Sequence, residues 1–132
     1  MSLAYDYLIF MAGLICGCIL FQSSIIAPTV FRVLDLADAG AFLRKVFPRF
    51  FMLIMACSVL MLILVALSDS SDKSRFMLPV ANLVFSGVSY LVIPATNRAK
   101  DDGEEKKFKA LHSLTVAFTL LMLILNITWW LF

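Results

Sequence analysis

The chain has 132 residues, 62% of them apolar and only 15% charged, with a formal net charge of +2 at pH 7. Together with a strongly positive mean hydropathy, this balance excludes a soluble globular domain, a disordered tail and a disulfide-framed secreted scaffold. It offers no basic surplus for a nucleic acid.

The charges fall in blocks. Residues 7–31, 50–68, 76–97 and 110–132 contain no Asp, Glu, Lys or Arg, in runs of 25, 19, 22 and 23 residues. A helix crosses the hydrocarbon core with about 20 residues at 1.5 Å each. Continuously apolar runs argue for helices, because barrel strands alternate over about 10 residues. One transmembrane domain over residues 1–132 is predicted, an all-α four-helix bundle with spans at about 7–28, 50–68, 76–94 and 110–131.

The first run carries Asp6 and no Lys or Arg before its apolar stretch, so it reads as a retained span rather than a cleaved leader. Gly13 and Gly17 form a GxxxG step that allows close backbone approach. Packing inside the same bundle is the favoured reading, and a homodimer seam is the alternative. Pro28 is expected to close this helix. In residues 31–47, Val33, Leu36, Gly40, Leu43 and Phe47 recur at three- and four-residue steps, among Arg32, Asp35, Asp38 and Lys45. A short helix lying in the membrane interface between spans one and two fits that stripe.

Pro48 is expected at the start of span two, where a missing N–H costs nothing. Met52, Met55 and Met61 read as apolar filler, and Cys16, Cys18 and Cys57 as small buried residues. Pro79 suits the first turn of span three, and Pro94 is expected to end it. In the third loop Asp101, Asp102, Glu104 and Glu105 precede Lys106, Lys107 and Lys109. That order suits a helix dipole and an i, i+4 pair between Glu105 and Lys109, so span four should begin outside the membrane.

Span four carries His112, Thr115, Thr119, Met122 and Asn126 on one face. Span three offers Asn82, Ser86 and Ser89, and span one ends with Gln22, Ser23 and Ser24. Polar groups in lipid turn inward and bond a neighbour, so interhelical glue is favoured over a polar path for a solute or proton. His112 is the sole histidine. A haem or metal role for it lacks a second His or an acidic residue within a span. No cofactor, metal or catalytic signature is expected, and the chain is read as non-enzymatic.

Nine basic residues lie in the first and third loops: Arg32, Arg44, Lys45, Arg49, Arg98, Lys100, Lys106, Lys107 and Lys109. Only Lys73 and Arg75 lie on the other side. The positive-inside rule puts the nine in the cytoplasm and both termini outside, and a plasma or inner membrane is the expected location. Tyr5, Tyr7, Trp129 and Trp130 would then share the outer interface.

Three stretches carry a family likeness: Pro28-Thr29-Val30-Phe31-Arg32-Val33-Leu34, then Ala39-Gly40, then Val46-Phe47-Pro48-Arg49-Phe50-Phe51. With Pro94 and Phe108-Lys109-Ala110-Leu111-His112-Ser113-Leu114-Thr115, the set resembles the domain-of-unknown-function family that includes transmembrane protein 205. Thr119 departs from the asparagine that the family pattern leads one to expect. The resemblance implies a small multi-pass membrane protein with no established activity or cofactor. Its animal member is associated with platinum-drug resistance.

The combined expectation is an accessory or scaffold protein that packs against itself or a larger membrane complex. An oligomeric small-solute or ion carrier is the first alternative, and a haem- or metal-binding redox protein using His112 is the second. A site is expected at the cytoplasmic interface, formed by Arg32, Asp35, Arg49 and His112, where Arg32 would meet an anionic lipid headgroup or a partner's carboxylate. The lipid bilayer and a second copy or larger complex are the expected partners.

Overall fold

Long runs of Leu, Ile, Met, Phe and Ala favour helix over any other backbone that satisfies its own hydrogen bonds in lipid. The computed structural model describes residues 3–68 and 72–131, and these fold into helices without a strand among them. The main elements are α1 (Leu3–Phe21), α2 (Ala27–Val33), α3 (Leu36–Ala66), α4 (Met77–Asp101) and α5 (Glu105–Thr128). Four helical stretches are long and apolar enough to cross a membrane: Tyr5–Val33, Leu36–Ala66, Lys73–Asp101 and Glu105–Thr128.

The prolines do not stop the helices where the sequence pattern placed the stops. A π-helical segment, Gln22–Ile26, carries α1 directly into α2, and Pro28 lies in the first turn of α2. The wider π turn absorbs a residue that cannot donate a hydrogen bond. The first helix ends at Leu34, whose extended backbone (φ −105°, ψ 150°) breaks the ladder.

The expected separate interfacial helix is absent as an element of its own. Its residues from Leu36 onward form the first turns of α3, a continuous helix of 31 residues with Pro48 inside it. Pro48 strips the Arg44 carbonyl of its normal donor. One residue further on, the Arg49 guanidinium donates to the Lys45 carbonyl at 2.9 Å. That bond reinforces the turn next to the proline, although the carbonyl Pro48 leaves free is that of Arg44. Pro94 likewise lies inside α4, which continues to Asp101.

Each helix turns an apolar face inward at steps of three and four. Leu8, Met11, Ala12, Ile15 and Ile19 of α1 meet Phe51, Ile54, Cys57, Met61 and Val65 of α3, with Leu78 of α4 and Met122 of α5. Helix α4 packs along α3 and α5, and α1 packs on those same two neighbours, so α1 and α4 form the diagonal. Gly87 of α4 faces α3, and a Cβ there would make ordinary contact with the Met55 sulfur at 3.9 Å.

The two ends of the bundle are chemically different. At one end the Tyr5 and Trp129 rings lie 5.4 Å apart, so the first and last helices meet there, and Trp130's side chain lies outside the described residues. At the other end Arg44 of α3 grips Asp101 of α4 with both arms, one at 3.0 Å. The α4–α5 turn also lies there. Gly103 has φ +71°, and the Glu104 N–H reaches the Ala99 carbonyl at 2.9 Å. This closes α4 with a Schellman turn that suits glycine.

Candidate functional site

Arg32, Asp35, Arg49 and His112 all lie towards the end of the bundle marked by Arg44 and Asp101, but each has local business. Asp35 is the N-cap of α3 and accepts the Asp38 N–H at 2.8 Å. Arg49 serves the Lys45 carbonyl beside Pro48. His112 is exposed and stacks on Phe108, with centroids 5.7 Å apart and planes 6° apart. Phe108 in turn receives the Lys100 ammonium 5.0 Å from its centroid. Arg32 is exposed in the last turn of α2. No hydrogen bond or ion pair among the described residues joins these four side chains.

Electrostatics at this end are led by the Arg44–Asp101 pair. Its hydrogen bonds pull the Asp101 carboxyl below the usual carboxylate range and push the Arg44 guanidinium up. Lys107 pairs with Glu104 at 2.9 Å, and Lys109 reaches Glu105 at 3.9 Å as the i, i+4 spacing leads one to expect. Arg32, Lys45, Arg98 and Lys106 have no carboxylate partner among the described residues. The acidic residues are thus largely taken up locally, and exposed cations remain.

The polar stripe of α5 divides along its length. Asn126 is buried and exchanges two hydrogen bonds with buried Asn82 of α4, at 3.1 and 2.8 Å. It also donates to the Met122 carbonyl at 2.7 Å. Thr119 and Thr115 are half-buried and turn their hydroxyls back to the carbonyls of Thr115 and His112, while Ser86 bonds the Asn82 carbonyl. A stripe spaced at 3.5 residues drifts about 20° per heptad on a 3.6-residue helix. That drift accounts for a stripe buried at Asn126 and exposed at His112. The described residues hold no group of three His, Cys, Asp or Glu placed to share a metal.

The glycines of α1 overturn the reading in which they seat a helix of the same bundle. Gly13 and Gly17 are exposed, and nothing lies within 4 Å of where a Cβ would stand at either. The inward face of α1 is instead Leu8, Met11, Ala12, Ile15 and Ile19. Gly13 borders a groove of about 430 Å³ between α1 and α5, shared with Tyr5, Ile9, Cys16, Asn126 and Trp129. Phe10, Leu14 and Phe21 stand exposed around the glycine face. The groove was not legible beforehand, because it depends on how far α1 leans from α5.

A family profile described as domain of unknown function DUF4149 matches residues 10–105. An uncharacterised protein of Aquifex aeolicus (strain VF5) is 32% identical over 108 residues, covering 81% of this chain and 79% of that protein. No solved structure matches. The profile covers the first three spans and the Arg44–Asp101 pair that ties two of them together. The chain belongs to the DUF4149 family of domains of unknown function.

Proposed function

We propose that this protein is a non-enzymatic membrane accessory or scaffold protein that holds another transmembrane helix, from a second copy or a larger complex, against α1. The observation that carries this reading is the outward glycine face. Glycine costs a helix about 1 kcal/mol relative to alanine. Among the described residues nothing lies within 4 Å of where a Cβ would stand at Gly13 or Gly17, so neither is small to seat a neighbour of its own bundle. A second helix would recover the cost, since small residues let two backbones approach closely in lipid.

The orientation proposed is the one the basic residues favour, with the Arg44–Asp101 end in the cytoplasm and both termini outside a plasma or inner membrane. Arg32, Asp35, Arg49 and His112 would then lie at the cytoplasmic interface. Arg32, exposed and without a carboxylate partner among the described residues, supports contact with anionic lipid headgroups there.

The test is co-purification of the full chain from native membranes in mild detergent, beside Gly13→Leu and Gly17→Leu. The expected result is a stoichiometric oligomer or complex that the leucine variants lose while keeping their helical circular dichroism. A wild-type monomer without partners, or variants that keep the wild-type assembly, would sink the reading. Solute flux through liposomes containing only the pure protein would favour a carrier instead.

A further inference from the structure

Two buried polar groups lack a hydrogen-bond partner among the described residues. Gln22, 7% exposed, leaves its Nε2 unbonded, and Ser89, fully buried, leaves its Oγ unbonded. Among the buried serines Ser58, Ser86 and Ser89, only Ser89 is left so. The hydroxyls of Ser58, Ser86, Thr96, Thr115, Thr119 and Thr128 all turn back onto carbonyls of their own helices. The same escape exists at every helical serine, yet Ser89 does not take it. Gln22 opens the π-helical segment, a distortion found often at functional sites.

The two groups also share a depth. Cys16 of α1 lies level with Leu123 of α5, its sulfur 3.9 Å from that carbonyl. Asn82 of α4 lies level with Asn126 of α5 through their amide pair. Counting along the antiparallel helices from these two fixed points puts Gln22 opposite residue 117 and Ser89 opposite residue 119 of α5. At 1.5 Å per residue the two lie within about 3 Å of one another in depth. Ser89 belongs to α4 and Gln22 to the π-helical segment that follows α1, and both side chains are buried.

We infer that Gln22 and Ser89 are opposite walls of a binding site for a small uncharged hydrogen-bonding molecule in the middle of the bundle. The occupant presents an acceptor to the Gln22 amide and a hydroxyl or water-like group to Ser89. It is uncharged because residues 7–31, 50–68, 76–97 and 110–132 contain no Asp, Glu, Lys or Arg to balance an ion. Burying two polar groups without partners is costly, and a molecule bridging them removes that cost. Water and a small polyol share this chemistry. The site is distinct from the outward glycine face and does not depend on it.

Gln22 is the sole glutamine, so ¹⁵N-glutamine labelling of the full chain in lipid nanodiscs gives one side-chain amide pair. The experiment reads magnetisation transfer to that amide from water, then from added glycerol, in the wild type and in Ser89→Ala. The expected result is a cross-peak that loses most of its intensity, with shifted amide resonances, in Ser89→Ala. A cross-peak to water that persists in glycerol identifies water as the occupant, and replacement by a glycerol cross-peak identifies a polyol site. Absence of both cross-peaks in the wild type overturns the inference without needing any variant to fold. An amide that ignores Ser89→Ala also overturns it.

Discussion

Replacing Asn82 with leucine probes the link between α4 and α5 most directly. Asn82→Leu removes both amide bonds to Asn126, at 3.1 and 2.8 Å, and keeps a side chain of similar size. Asn126 Nδ2 retains the Met122 carbonyl at 2.7 Å, but its Oδ1 is stranded in a position 4% exposed. Interhelical side-chain hydrogen bonds in membranes average about 0.6 kcal/mol each. A stranded buried acceptor adds about 1–3 kcal/mol. The expected loss is therefore about 2–4 kcal/mol, most of it from the stranded oxygen rather than the lost pair. Asn126→Leu should cost at least as much, because it strands both polar atoms of Asn82. The double variant leaves no orphan and should recover most of the loss, to within about 1 kcal/mol of wild type. Reversible unfolding in mixed micelles, followed by far-ultraviolet circular dichroism, measures all four corners of the cycle. Single variants costing under about 0.5 kcal/mol, or a double variant equal to the sum of the singles, would refute the reasoning.

Three further outcomes follow from the geometry. The Arg44–Asp101 pair lowers the Asp101 pKa, so its stabilising effect is complete above the ordinary carboxylate range and is lost as pH falls through the lowered value. Carboxyl-carbon NMR titration should find Asp101 below its usual range, and Arg44→Gln should raise it. Gly103→Ala forces a side chain onto φ +71° and should lower stability by about 1 kcal/mol in thermal unfolding. Gly87→Ala should be neutral or gain up to about 1 kcal/mol, because its Cβ would make only ordinary contact with Met55 at 3.9 Å. A clear loss in the same assay would mean that α3 and α4 pack more tightly there.

The four helices and the inward polar residues Asn82 and Asn126 were legible because lipid enforces long apolar runs and punishes unpaired amides. The Glu105–Lys109 spacing was legible for a local reason, since i, i+4 neighbours meet on any helix. The ends of the helices were not. Pro28 and Pro94 read as stops, and Pro48 as a start, under rules drawn from water, where a lost hydrogen bond and a ring clash end a helix cheaply. In a membrane, unwinding exposes more backbone than a proline spoils, so the chain bends or widens and continues. Gly13 and Gly17 display their spacing in the sequence but not the direction they face. That direction is fixed by Leu8, Ile15 and Ile19 burying the opposite side of α1. The Gln22–Ser89 layer needed the relative depth of three helices, which no single periodicity contains.

The elbow between the first two spans also governs how the chain can be assembled. Only Leu34 and Asp35 separate α2 from α3, and two extended residues reach about 7 Å. With so little slack the ends of the first two spans are held side by side. On the assembly proposed for Gly13 and Gly17, the partner's first two spans would therefore arrive as one joined pair rather than as separate helices.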